Sequence, residues 1–226
     1  MLFNLRLIYL IAVLSPVFIA SCASKSFLDA QGVSQEVTSD TYAMNRGTRG
    51  VVLLDVNWGR YWNCGGFENA QLISLAFDRA PVGQKSDAIA ADLLIETPNR
   101  IIAKPIFLSY ALLLEPGEYL MSGVKIKGAR SVSDIGYWTV PRSKFIKEGK
   151  SIAGSFRVAA GETVYVGNFG LDCLHQPILW RYYTPGRADF KAHVQQYVRK
   201  YPFLDTQAIT YRLFDTVEFG KPYDLE

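Results

Sequence analysis

From Gly50 onward the chain alternates short apolar runs with polar or glycine-rich breaks, and the spacing inside each run is that of strands. Val51 to Trp58 is a β-branched and aromatic run. Leu72 to Phe77 alternates, with Ile73, Leu75 and Phe77 on one face and Ser74 and Ala76 on the other. Ile101 to Ala103, Phe107 to Leu114, Glu118 to Ile126, Gly154 to Val158, Thr163 to Phe169 and Ile178 to Tyr183 are strand candidates on the same grounds. No helix-period run of comparable strength interrupts them. The breaks carry turn chemistry of their own. In Glu115-Pro116-Gly117-Glu118 a proline stands where φ near −65° is wanted and a glycine where a type II turn needs positive φ. The pattern therefore predicts a hairpin of Phe107 to Leu114 with Tyr119 to Ile126, and a second hairpin turn at Ala159-Ala160-Gly161-Glu162. Regularly spaced strands joined this way predict a mainly β chain, folded as an antiparallel β-sandwich over residues 43–184.

The tail, residues 185–226, changes period. In Arg187 to Lys200, Phe190, Val194, Tyr197 and Val198 recur at i, i+4, i+7 and i+8, the spacing of one helical face, and Asp189 suits the helix N-terminus. A C-terminal helical appendage follows, ending at Tyr201-Pro202 because the residue before proline avoids α geometry. Its apolar face either packs on the sandwich or receives a partner. Ile209 to Phe214 reads equally as a second short helix, capped by Asp205 and Thr206, or as a last strand.

The opening residues have a different pattern again. Met1 to Arg6 carries one positive charge, Leu7 to Ile19 is an apolar stretch too short to span a bilayer comfortably, and Pro16, Ala20 and Ser21 end it, so residues 1–21 read as an export signal. The segment Ile19-Ala20-Ser21-Cys22 resembles the lipobox of bacterial lipoproteins. The resemblance implies cleavage before Cys22, a diacylglycerol thioether on its sulfur and acylation, such as palmitoylation, of the new amine; two or three chains anchor durably where one does not. Ala23, in place of an aspartate, resembles the signal that forwards Gram-negative lipoproteins to the outer membrane. Two plainer readings stand beside this one: an ordinary signal cut after Ala23, which would discard Cys22, and an uncleaved anchor. Residues 22–42 are poor in large apolar side chains and rich in Ser, Gln, Asp and Thr, which predicts a flexible tether with a reach of roughly 25 Å.

Composition adds boundaries. Thirteen Tyr, thirteen Phe and four Trp supply the apolar area of one ordinary core, and 226 residues are enough for one domain after a leader. A formal charge of +3 is far too mild for a nucleic-acid partner. The segments LLLEPGEYLMSGVKI and FRVAAGETVYVGNF resemble strands of prealbumin-like sandwich domains found in uncharacterised bacterial lipoproteins and in carbohydrate-binding or peptidase-accessory modules. That resemblance implies a prealbumin- or immunoglobulin-like fold and brings no catalytic residue with it.

Candidate chemistry is sparse. Cys64 in WNCGG and Cys173 in GLDCLH are the cysteines left once Cys22 is acylated, and in an oxidising compartment an even pair reads as a disulfide, with two buried free thiols as the alternative. His175 lies two residues from Cys173, but the only other histidine, His193, sits in the amphipathic helix, so neither a zinc set nor a Cys–His nucleophile is assembled. No G-x-S-x-G, H-E-x-x-H, P-loop or dinucleotide pattern occurs, and no cofactor or catalytic residue is assigned. Trp58, Tyr61, Trp62 and Phe67 cluster around a glycine-rich segment, either as a core corner or as a surface that stacks on sugar or a protein partner. The sequence thus predicts a lipid-anchored cell-envelope protein facing the periplasm, acting as a non-catalytic structural or interaction module. The alternatives are a ligand- or glycan-binding module and, third, an enzyme.

Overall fold

The computed structural model describes residues 36–99, 101–182, 187–205 and 208–220, with side chains of the last helix from residue 191. The expected signal segment 1–21 and Cys22 lie outside the described residues. The elements in chain order are α1 (Ser39–Asn45), β1 (Gly50–Asn57), β2 (Tyr61–Cys64), β3 (Phe67–Arg79), β4 (Leu93–Glu96), β5 (Phe107–Leu114), β6 (Gly117–Ala129), β7 (Ile135–Val140) and α2 (Arg142–Phe145). They continue as β8 (Ile146–Lys147), β9 (Lys150–Ser151), β10 (Ser155–Val158), β11 (Thr163–Asp172), β12 (Ile178–Tyr182), α3 (Arg187–Lys200) and β13 (Ile209–Tyr211).

Two sheets face each other as a β-sandwich. The first has the order β12-β11-β1-β5, with β13 also pairing β11; the second is built on the long strands β3 and β6, flanked by β2, β4, β7 and β10. Between them lies a core of Val52, Leu54, Val56 and Trp58 from β1 and its exit, Leu72, Leu75 and Phe77 from β3, Met121, Val124 and Ile126 from β6, and Val164, Val166, Phe169 and Leu171 from β11. Phe77 meets Phe156, Phe169 and Phe214 edge-on at 5.3–6.3 Å, a preferred aromatic geometry.

The first sheet is mixed, not purely antiparallel as the pattern predicted. β1 runs parallel to β11 and β13 also runs parallel to β11, because β1 reaches β11 only after the chain has traversed the whole second sheet. Neither predicted hairpin forms. β5 pairs with β1 and β6 with β3, so Glu115-Pro116 is a corner from one sheet to the other, held by the Tyr119 hydroxyl donating to the Glu115 carbonyl at 2.9 Å. Ala159 to Glu162 is a second corner, between β10 and β11, in which the Glu162 carboxylate accepts from the Ala159 N–H and pairs with Arg212 at 2.9 Å. Turn chemistry marked both reversals, and strand pairing sent them between sheets.

Other differences are local. Ile101 to Ala103 is irregular: Ile102 alone enters the core while Ile101 is exposed. Strands β2, β4 and β7 carry no expectation from the pattern. The end of the expected tether is folded. Val37 is buried and its N–H donates to the Ala111 carbonyl, Glu36 bridges Leu112, and Thr38 and Thr41 form a capping box that starts α1. Ile209 to Tyr211 takes the strand alternative.

The helical tail packs against the sandwich. Val194 and Tyr197 of α3, with Tyr201 and Leu204 beyond it, cover Val51 and Leu53 of β1 and Tyr165 of β11 in a second apolar layer. β1 is therefore buried on both faces along its whole length.

Candidate functional site

Trp58 is buried in the core, where its Nε1–H donates to the Tyr110 hydroxyl at 2.7 Å. Tyr61 is half-buried against the core, and burial raises its pKa above the ordinary tyrosine value, with a hydrogen bond to the Leu171 backbone acting the other way. Trp62 is half exposed and donates to the Ala103 carbonyl at 3.2 Å. Phe67 alone of the four reaches a groove. Alternation along β2 separates Tyr61 from Trp62, and Trp58 belongs to the inner face of β1.

Cys64 and Cys173 are joined by a disulfide, with Cα atoms 4.6 Å apart. It ties β2 of the second sheet to the end of β11 in the first. Gly65 beside it has φ of +55°, and a Cβ there would come within 2.4 Å of the Gln176 Cα, so the glycine is required by both conformation and space. Oxidation removes Cys173 as a nucleophile or metal ligand beside His175.

Next to this bridge the two sheets part. A groove of about 590 Å³ opens between β6 and β7 on one side and the residues leading into β12 on the other. Val124, Ile126, Trp138, Val140, Phe145 and Phe219 form its apolar walls, with Arg130, His175 and Gln176 among the polar groups that line it. Its aromatic wall has a specific seat. Gly128 and Gly136 are cross-strand partners, and the six-membered ring of Trp138 lies over both: a Cβ at Gly128 would stand 2.5 Å from a ring carbon and one at Gly136 3.2 Å. Phe67 meets Trp138 edge-on at 5.1 Å and the Arg130 guanidinium sits 4.8 Å over Phe67. Trp138 remains 42% exposed.

The opposite side of the molecule is closed by a polar group that the pattern did not single out. Asp55 belongs to the outer face of β1, in register with Val51 and Leu53, and is fully buried. His193 Nε2 lies 2.7 Å from its Oδ2, Gln196 Nε2 donates to the same oxygen at 3.2 Å, and the Tyr197 hydroxyl donates to Oδ1 at 2.7 Å. Burial, then the nearby Asp55 charge, pushes the Tyr197 hydroxyl well above its ordinary pKa, so it stays a donor. β11 completes the layer through a bulge: Leu53 faces Tyr165 but Asp55 faces Asn168, which leaves one extra residue on β11. Gly167, at φ +104°, lies in that interval, and the step brings Asn168 Oδ1 within 2.6 Å of the Tyr165 hydroxyl. The arrangement staples α3 to β1. The legible signal was a single carboxylate inside VVLLDV, and three donors spaced i, i+3 and i+4 at His193, Gln196 and Tyr197.

A second buried carboxylate positions the groove. Asp78 at the end of β3 accepts from Arg142 Nε at 2.5 Å and from Lys85 at 3.1 Å, while Arg142 also donates to the Ser86 and Ile89 carbonyls. Burial by itself would raise the Asp78 pKa; its hydrogen bonds and charge pairing with Arg142 and Lys85 outweigh burial and hold it below the ordinary carboxylate value. These bonds tie α2 to the loop after β3, and α2 supplies Phe145 to the groove.

Among the described residues no group of three or more His, Cys, Asp or Glu is placed to hold a metal ion, and no helix is long and apolar enough to cross a membrane. No family model, no curated protein and no solved structure matches the chain.

Proposed function

We propose that this chain is a lipid-anchored interaction module of the bacterial cell envelope, held through acylated Cys22, most naturally at the periplasmic face of the outer membrane, and non-catalytic. The observation that supports it best is the open side of the sandwich. There Trp138 of β7 is 42% exposed in an apolar groove, and Ile135 and Tyr137 on the opposite face of the same strand are also at least 40% exposed, apolar area of the kind that marks protein interaction sites. The lipobox-like Ile19-Ala20-Ser21-Cys22 supports the anchor.

Two measurements test the reading. Cys22→Ala should abolish incorporation of labelled fatty acid and move the protein from the membrane to the soluble fraction; an unchanged, membrane-bound variant rejects the anchor. A photo-crosslinking residue at Tyr137, in native envelopes, should capture a neighbouring protein. A Trp138 ring seated over two glycines also favours a second reading, a saccharide stacked in the groove, which glycan-array binding lost in Trp138→Ala would favour instead.

A further inference from the structure

Strand edges are unpaired rows of N–H and C=O groups that proteins ordinarily cover, charge or interrupt. Here three edges are covered by the chain itself. Val37 donates to Ala111 on β5, Arg181 of β12 donates to the Phe219 carbonyl, and Ser155 of β10 exchanges hydrogen bonds with Asp215. The free edge of β7 has no such cover among the described residues: its pairing is with β6 alone. Its sequence, IGYWTV, contains no charge and no proline to blunt it.

The two faces beside this edge differ in chemistry. Trp138 pairs with Ile126 and faces the groove, as does Val140. Tyr137 and Thr139 point the other way, where their partners on β6 are Lys127 and Lys125, and the Lys125 ammonium stands 5.3 Å over the Tyr137 ring. Neither lysine has a carboxylate partner among the described residues. A strand added beyond β7 would lie about 10 Å from β6, two strand spacings, within reach of both side chains.

Resting on the interaction-module reading, we propose that the free edge of β7 binds an extended segment of a partner protein in which apolar and acidic residues alternate. The segment continues the second sheet as a further strand. Its apolar side chains enter the groove against Trp138 and Val140, and its carboxylates meet Lys125 and Lys127. Main-chain pairing supplies affinity, and the two faces select the sequence. Three features argue for this occupant: an edge uncovered among the described residues, the apolar groove on one face, and on the other two lysines that have no carboxylate partner among those residues.

The test uses full-length protein in nonionic detergent and a ten-residue peptide alternating valine with glutamate, titrated calorimetrically. A peptide alternating valine with lysine and one with all valines grouped before the glutamates serve as controls. The alternating acidic peptide should bind at least about tenfold more tightly than either control. Lys125→Glu with Lys127→Glu should transfer the preference to the lysine peptide, and Trp138→Ala should weaken the acidic peptide with the far-UV spectrum intact. Equal binding of the three, no binding, or an unchanged preference in the charge-reversed protein overturns the proposal. So does a sedimenting dimer crosslinked through Tyr137, which assigns the edge to a second copy, or anionic-vesicle binding without peptide binding, which assigns the lysines to a membrane surface. If peptide binding fails while envelope neighbours still crosslink elsewhere, the interaction-module reading survives this failure; if no neighbour crosslinks, that reading falls.

Discussion

β1 and β7 make opposite uses of similar material. GVVLLDVN carries an acidic residue and is buried from end to end, while IGYWTV carries no charge and is largely exposed. The difference lies in the neighbours. β1 is flanked by β5 and β11, faces the second sheet and is roofed by α3, whereas β7 has one partner strand among the described residues and stands where the sandwich opens. The side under α3 is built for cohesion, with His193, Gln196 and Tyr197 directed at Asp55, and the side at β7 leaves apolar area in water.

On that contrast, changes on the cohesive framework cost stability and changes on the open side cost contact. The largest effect expected is from the disulfide that joins the sheets: removing it with Cys64→Ala and Cys173→Ala releases a loop constraint spanning 109 residues and should lower unfolding free energy by about 4 kcal/mol in urea melts. A loss near zero would show that the sheets hold together without it. Next comes Arg142→Ala, which leaves Asp78 buried without its main partner and should cost about 3 kcal/mol. The same pair sets an acid limit. Because the Asp78 pKa is lowered in the folded state, its contribution is complete above the ordinary carboxylate value of about 4 and is lost as pH falls through the depressed value. Asp78→Asn should flatten that part of the stability–pH profile, and an unchanged slope would remove Asp78 from the account.

Asp55→Asn should cost about 2 kcal/mol, since the amide keeps one acceptor but sets an N–H₂ against donors. Hydrogen exchange should then rise first in α3 and β13; a uniform rise across both sheets would argue against a local staple. The smallest stability effect belongs to the open side. Gly128→Ala places a methyl where the Trp138 ring lies and should cost about 1 kcal/mol while shifting Trp138 emission as the ring is displaced. Silence in the emission would mean that the ring is not seated on the glycines.

Much of the framework was legible in particular residues. Val51 to Trp58, Phe107 to Leu114 and Thr163 to Phe169 are strands because β-branched and aromatic runs fit a pleated surface, and Arg187 to Lys200 is a helix because its apolar residues repeat at helical spacing. The groove was not legible. Phe67 belongs to a local aromatic cluster, but Trp138 lies 71 positions further along the chain, and only the adjacency of β6 to both β3 and β7 brings them to 5.1 Å. Asp55 stands alone among apolar neighbours in its strand, and its partners His193, Gln196 and Tyr197 lie about 140 positions away, so local pattern does not connect them.

Taken by itself, the sequence determined the strand-rich class, the change to helical period near the C-terminus and the two sharp reversals at Pro116 and Gly161. All of these depend on residues within a few positions of each other, where side-chain period and backbone preference act directly. Tertiary structure alone decided that the reversals cross between sheets, that β1 pairs parallel with β11, that an aspartate is buried beneath α3, and that β7 keeps an edge free among the described residues. Those outcomes depend on which strands compete for which neighbours and on what is left uncovered when each has chosen, and that competition is settled by burial across the whole chain.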